Sequence, residues 1–511
     1  MSEIATSTSA PAHSTPRITN SYTRYVFFVM FAISFLNYLD RYMLSGSINV
    51  IAGELHFSVA EIGYISSAFL VIYTLGTLPL GIWADRAKRK NVVAISVAAW
   101  SLITALTALA NSFATLFLAR MLLGIGEAGY FPAGTALMSD YFRRSVRSQV
   151  LSWWSIAQVF GILFGTALGG VLAGLYVGSW RLGFLITGIP GLFFAWLAWR
   201  LREPRRNQAD EEAAEHELLP ILVDNRGGEV SPVQAGAGSE IPPVQADVES
   251  EILPASSGWV QISSALRMKT MTAQTFISSV WAQIRSLLRI KTVIVLTTMQ
   301  IFAYFVVYVC VVFLSTYLQQ KDSYSMSSAQ AGIYSGGIIA LAGMVGTIAG
   351  GYLSDLLGRR YAGARVLVCG IGFLIAAPSL AVTLLSGNLT LFTIFFVLSS
   401  ILITIYQGPS AAALSDVVPA RLRSTAICIS LLIAHLLGDA FSPTLVGVLA
   451  SSFDPTNGEH FAQQVAGHDI AQALIITCVP ALILAGLIGI FGSRWMGADV
   501  VAAERASAAA S

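Results

Sequence analysis

The chain has 511 residues, of which 55% are hydrophobic and only 11% charged, with 44 glycines and a mean hydropathy of +0.69. Soluble chains carry about 25% charged residues, so this composition excludes a string of soluble domains. The net charge of +2 excludes a nucleic-acid-binding basic face or an acidic solvating chain, and what remains is a protein whose first partner is the lipid bilayer.

Residues 1–24 form a polar tail rich in Ser, Thr and Pro. They carry no cleavable signal pattern, so the first apolar segment is expected to stay as an anchor. A bilayer core about 30 Å thick takes roughly 20 apolar residues in a helix, since lipid offers nothing to an unpaired backbone group. Twelve such runs follow, near 25–45, 60–83, 91–110, 113–138, 148–175, 179–200, 292–318, 329–353, 363–385, 388–413, 424–450 and 470–492. The predicted fold is therefore all-α, with 12 transmembrane helices in two bundles of six, 25–201 and 292–493.

Lys and Arg beside spans are retained in the cytoplasm. The connections after spans 2, 4, 8 and 10 hold Arg86, Lys88, Arg89 and Lys90; Arg143, Arg144 and Arg147; Arg359 and Arg360; and Arg421 and Arg423. Lys321 is the clear exception on the opposite side. Both termini are predicted to be cytoplasmic, in a multi-pass protein of the plasma (inner) membrane.

The halves echo each other. Gly81-Ile-Trp-Ala-Asp85-Arg86-Ala-Lys-Arg89-Lys90 after span 2 returns as Gly351-Tyr-Leu-Ser-Asp355-Leu-Leu-Gly-Arg359-Arg360 after span 8. Asp140 with Arg147, after span 4, returns as Asp416 with Arg423, after span 10. Parallel six-span repeats are the pattern of transporters that hold substrate at the midplane between the halves.

Between the halves, residues 202–290 hold 12 of the 28 acids and 8 of the 30 bases. Residues 202–258 read as an acidic disordered linker with an imperfect duplication, SPVQAGAGSEI then PPVQADVESEI. Residues 259–291 hold five bases and no acid, with Phe276, Val280, Ile284, Leu287 and Leu288 on one helical face. They read as a basic amphipathic interfacial helix, or as a plain lead-in to span 7. The Ala- and Ser-rich tail 494–511 carries no usable signal.

The intramembrane ionisable residues are Asp40, Arg41, Arg120, Glu127, His435 and Asp439. Each costs roughly 2.5–3.5 kcal/mol at a helix centre on insertion scales, so each is expected to face a partner or water. Asp40 and Arg41, adjacent on one helix, point about 100° apart; Arg120 and Glu127, seven apart, share a face. Asp40 is the foremost candidate proton-binding group, with Glu127, His435 and Asp439 in supporting roles, against the plainer reading that Asp40 permanently pairs Arg120. Arg120 and Arg41 offer forks for an anionic head group, one of them structural. His435 and Asp439, four apart, can touch. Tyr304 and Tyr308 in span 7, with Tyr406 and Gln407 in span 10, are candidate substrate-lining residues, each weighed against simple packing.

Cys310, Cys369, Cys428 and Cys478 sit singly in apolar runs and read as small hydrophobes. No cofactor, metal or enzyme activity is expected.

The Gly81 to Lys90 segment and its second copy resemble the loop signature of the major facilitator superfamily. That resemblance implies a cytoplasmic latch built from Gly81, Asp85, Arg86, Arg89, Asp140, Arg147, Gly351, Asp355, Arg359, Asp416 and Arg423. Lys88 and Leu356 depart from the signature. Asn37-Tyr38-Leu39-Asp40-Arg41, Gly124-Ile-Gly126-Glu127-Ala-Gly-Tyr130 and His435-Leu-Leu-Gly438-Asp439-Ala-Phe-Ser442-Pro443 resemble the spinster branch. The resemblance implies a secondary transporter, proton-coupled and working as a monomer, that moves a lipid-like amphiphile with a charged head. Gly126-Glu127-Ala-Gly-Tyr-Phe-Pro132-Ala133 is also similar to the anion:cation symporters, which implies a small organic anion or sugar acid. A transporter-like sensor or receptor is the reading from another class.

Overall fold

In the computed structural model, the described residues are 20–205, 208–209, 285, 287, 289–419, 423–456 and 459–508. Almost all of the acidic linker 202–258 and of the basic segment 259–291 lies outside them, as do the side chains of Asp85, Arg147 and Arg423. Among the described residues every regular element is helical. The first half holds α1 (Asn20–Leu55), α2 (Val59–Arg86), α3 (Arg89–Thr107), α4 (Phe113–Ala128), α5 (Tyr130–Tyr141), α6 (Arg144–Ala173) and α7 (Trp180–Arg200). The second holds α8 (Lys291–Gln319), α9 (Ser328–Gly358), α10 (Ala364–Leu385), α11 (Leu389–Thr404), α12 (Gln407–Asp416), α13 (Arg423–Ala434), α14 (Ser442–Phe453), α15 (Glu459–Ala462) and α16 (Gly467–Ala508). The last helix runs well past the end expected for span 12, and Asp499 on it accepts bonds from the backbone N and Oγ1 of Thr292, at 2.8 and 2.6 Å.

Eleven described helices are long and apolar enough to cross a membrane. The twelfth span is α4 and α5 together, broken at Gly129. Proline explains the break, because Pro132 has no N–H for the carbonyl of Ala128 four residues earlier. The second half repeats it: Pro409 cannot bond Ile405, and span 10 divides into α11 and α12 there. Spans 2, 4, 8 and 10 all begin on side-chain caps. Ser58 with Glu61, Ser112 with Thr115 and Ser327 with Gln330 are reciprocal boxes, and the Asn388 carboxamide accepts from Thr390 and Leu391 N–H. These caps satisfy N–H groups left open at a helix start, and all four lie on the face away from the chain ends, which an even number of traverses brings together.

The first-half core is aromatic. The Trp100 and Tyr130 rings meet edge to face at 5.1 Å, and Tyr130 Oη and Trp154 Nε1 both donate to the Met30 carbonyl, at 3.3 and 3.1 Å. The glycine-rich span 5 packs on span 1 as a small-residue stripe should: a Cβ on Gly169 would stand 2.2 Å from the Met43 carbonyl oxygen.

Both halves belong to one compact unit, and hydrogen bonds between them gather on the face away from the termini. Asn49 Nδ2 donates to Gln319 Oε1 at 3.1 Å and Gln320 Nε2 to Asn49 Oδ1 at 3.3 Å. Ser328 Oγ donates to the Gly170 carbonyl at 2.9 Å, Ala60 N to Ser451 Oγ at 3.1 Å, and Thr444 N to Ser67 Oγ at 3.1 Å. On the termini face, a Cβ on Gly81 would meet Pro132 at an ordinary 3.7 Å and one on Gly351 nothing within 4 Å. Neither glycine is closely packed in this conformation, which is sealed on the opposite face.

Candidate functional site

The middle of α1 sets the site. Arg41 turns toward α4, where Nη2 and Nε both donate to Glu127 Oε2, at 2.6 and 3.2 Å. Its guanidinium carbon also lies 5.1, 4.9 and 4.8 Å from the ring centres of Tyr38, Phe69 and Tyr73, close enough for cation–π attraction. Glu127 Oε1 is buried without a partner. Asp40, a helical step away, points elsewhere. It is 1% exposed and neither oxygen has a hydrogen-bond partner. Its polar neighbours are Thr104 of α3 and Thr187 of α7, whose hydroxyls are also unpartnered.

Arg120 is 3% exposed and its Nε is unpartnered. The guanidinium carbon lies 5.5 Å from the Phe184 ring centre. Of the two arginines, Arg41 is the one engaged structurally, while Arg120 is a buried cation within electrostatic range of Asp40, Glu127 and Tyr308. The plain pairing of Asp40 with Arg120 is not formed.

In the second half, span 11 winds through a π-turn at His435–Asp439, marked by the Ala440 N to His435 carbonyl bond at 3.0 Å. Such turns often mark functional sites. His435 Nδ1 lies 2.8 Å from Asp439 Oδ2, the contact expected from their spacing, and Asp439 Oδ1 is buried with no partner. The Tyr304 ring lies 4.5 Å from His435 and 6.4 Å from Tyr406. Gln300 is tied into a network with Ser410 and Ser430. Gln407 is exposed and accepts from Thr347 Oγ1 at 3.1 Å, so it does not join the tyrosines.

On the termini face, Arg89 pairs with Asp140, and Arg365 pairs with Asp416 and, at 3.5 Å, with Asp355. Both close pairs span 51 residues and lie 276 apart, so they are the same contact in each repeat. In each half an Arg at the start of span 3 or 9 thus pairs with an Asp at the end of span 4 or 10, while Arg86 and Arg359 are exposed. Glu203 reinforces the first copy by accepting from the backbone N–H groups of Arg89 and Lys90, at 2.7 and 3.0 Å. Sequence reasoning named Arg89 but missed Arg365, along with Tyr38, Phe69, Tyr73, Thr104 and Thr187.

An apolar groove of about 510 Å³ lies between α2, α4 and α14. Tyr64, Val71, Ile72, Phe113, Phe117 and Phe441 line it, so both halves contribute.

Twelve spans in two pseudo-symmetric bundles of six, with ionisable groups buried in mid-membrane, are the architecture of a secondary transporter. The major facilitator superfamily model matches residues 30–443, and the chain belongs to that family. Its similarity runs chiefly to the spinster branch: it is 24% identical to protein spinster homolog 1 of Xenopus tropicalis over 97% of this chain and 84% of that protein. It is also 29% identical over 191 residues, 37% of this chain and 42% of that protein, to a probable L-galactonate transporter of Escherichia coli K12. A solved bacterial homologue of the human lysosomal transporter spinster, inward-facing and unoccupied, shares the fold with a TM-score of 0.73 at 23% identity, covering 94% of this chain and 99% of that one.

Proposed function

We propose that the protein is a proton-coupled transporter that moves a lipid-like amphiphile with a charged head by alternating access. The observation that carries this reading is Asp40: a carboxylate sealed from solvent with neither oxygen bonded. An unpaired charge in such a place is costly, and binding a proton removes the charge. The neighbouring Arg41–Glu127 pair gives the proton its leverage. Protonation of Glu127 loosens its hold on Arg41, and protonation of Asp40 removes a charge that repels Glu127, so the helices that carry these groups can rearrange as protons come and go. His435 and Asp439 supply a second protonatable pair in the opposite half. Arg120, with its open fork, receives the anionic part of the head group.

The apolar groove between α2, α4 and α14 supports an amphiphile, because it gives an alkyl chain a place to lie while the head stays among the charges. With the termini in the cytoplasm, the sealed face is the outer one and this conformation is inward-facing. The Arg89–Asp140 and Arg365–Asp416 contacts then hold each half's cytoplasmic helix ends in register as the halves rock.

Uptake into proteoliposomes under an imposed pH gradient tests the reading, with lysolipids and sugar acids offered in parallel. Gradient-driven movement of the lysolipid is the expected result. The similarity to the L-galactonate transporter favours a second reading, symport of a sugar acid, and movement of the sugar acid alone would replace the first with it. No flux of either would leave the sensor reading.

A further inference from the structure

We propose that His460, clamped between Asp454 and Asp469 on the sealed face, is a pH-dependent clasp: with its proton it holds the ends of spans 7 and 11 in the register that seals the halves, and without it the seal loosens. His460 lies in α15, the short turn between spans 11 and 12. Its Nδ1 is 2.9 Å from Asp469 Oδ2, at the start of α16, and 3.5 Å from Asp454 Oδ1, just past α14. Its backbone N donates to Asp454 Oδ2 at 3.2 Å. The two carboxylates are 5% and 9% exposed, while the ring keeps 31% and so stays open to protons from solvent.

The clasp reaches the seal by two routes. On α14, three residues before Asp454, Ser451 Oγ accepts from Ala60 N of the first half at 3.1 Å. On the other side, Val465 N donates to the His460 carbonyl at 2.7 Å. That turn presents the Gln464 carbonyl to Lys321 N at 2.7 Å and the Ala466 N–H to Gln320 Oε1 at 3.2 Å. Gln320 is fully buried and donates from Nε2 to Asn49 Oδ1 of the first half at 3.3 Å. Gln464 has a φ of 61°, in the left-handed region that residues other than glycine rarely occupy, so the turn depends on its fastenings. His460 therefore joins the two second-half segments that bond across to the first half.

The charges around the ring set the direction. Among the described residues, Asp469, Asp454 and Asp322 face it, from α16, from the end of α14 and from the segment after α8. Asp322 is itself fixed by the backbone N–H groups of Gly467 and His468, each at 2.9 Å, and the His468 ring lies on Gln472 instead. A cationic ring is attracted to all three carboxylates, whereas a neutral one donates a single hydrogen bond. The His460 pKa is raised, chiefly by the bond to Asp469, so the clasp is firm in acid and slackens as pH rises through that higher value. That the sealed face is the outer one rests on the orientation proposed above. On that orientation, acid outside holds the protein inward-facing through a group separate from Asp40.

The test uses the full-length protein in nanodiscs and needs no substrate. Spin labels at Leu109→Cys and Leu385→Cys, one in each half on the sealed face, report the seal by pulsed dipolar spectroscopy in a Cys428→Ser background. From about pH 5.5 to 8.5, the ratio of sealed to unsealed protein should fall, by about tenfold for each pH unit by which the proton affinity of His460 differs between the two states. In His460→Asn the fall disappears. Gln320→Leu cuts only the route to Asn49, so the pH-dependent distance change shrinks while the pH dependence of melting, which reads the His460 pairing itself, is kept. Distances that ignore pH in the labelled protein without further changes, or a pH response that survives His460→Asn in folded, monodisperse protein, overturn the clasp and leave the transporter reading standing. A failed uptake assay would remove that reading and leave the clasp.

Discussion

The seal between the halves depends on contacts too close for a side chain. A Cβ on Gly63 would stand 2.2 Å from the Pro443 carbonyl oxygen, and ordinary contact begins at 3.4 Å, so Gly63→Ala forces α2 and α14 apart by about 1.2 Å. That shift also strains the neighbouring 3.1 Å bonds, Thr444 N to Ser67 Oγ and Ala60 N to Ser451 Oγ. Overpacking of this kind costs about 1–3 kcal/mol, and only the sealed conformation bears it. The population should therefore move away from that state by about 5- to 150-fold. Leu109 and Leu385 are 74% and 73% exposed at the sealed face, one in each half, and suit spin labels as cysteines in a Cys428→Ser background. The other three cysteines are buried. Pulsed dipolar spectroscopy should show the short distance between labels give way to a longer one in Gly63→Ala. A distance distribution unchanged in folded, monodisperse protein would refute the reasoning.

Arg120→Lys keeps the charge but loses the fork, and should weaken binding of a phosphate-headed ligand about tenfold or more, measured by titration, with the melting temperature unchanged. Arg89→Met should destabilise more than Arg365→Met: Asp140 is 4% exposed and Asp416 37% at the side chain, and breaking a buried pair costs up to about 3–5 kcal/mol against about 0–1 for an exposed one. Thermal melts of the two variants compare them directly. His460, on the sealed face outside the spans, has its pKa raised chiefly by its hydrogen bond to Asp469, with burial working against the rise and the nearby Asp454 adding to it. Its pairing therefore adds stability below the unfolded value of about 6.5 and loses it as pH rises through the higher folded value. Melts from about pH 5.5 to 8.5 should show this loss in wild type and not in His460→Asn.

The spans and the central charges were legible because membranes punish exceptions. Asp40, Arg41, Glu127 and Asp439 stand out in apolar runs for the same reason that they are buried and facing polar neighbours in the fold. Which arginine meets Glu127 was not legible. Helix phase shows that Arg120 and Glu127 share a face, but the approach of span 1 decides that Arg41 takes the carboxylate. Arg365 was missed because it sits in the first turn of α10 with no acid beside it. Its signal was the 51-residue spacing to Asp416, the same spacing that joins Arg89 to Asp140. The breaks in spans 4 and 10 could have been foreseen from Pro132 and Pro409, whereas nothing in His435-Leu-Leu-Gly438-Asp439 marks a π-turn in advance. One sequence does not say which of the two faces is sealed.

Coupling through Asp40 is the claim on which the mechanism turns, and comparing two modes of transport by Asp40→Asn in proteoliposomes tests it most directly. Substrate exchange with no gradient should persist, because the neutral side chain mimics the protonated acid, while uphill uptake driven by a pH gradient should vanish. Gradient-driven accumulation at the wild-type level in Asp40→Asn would contradict the account.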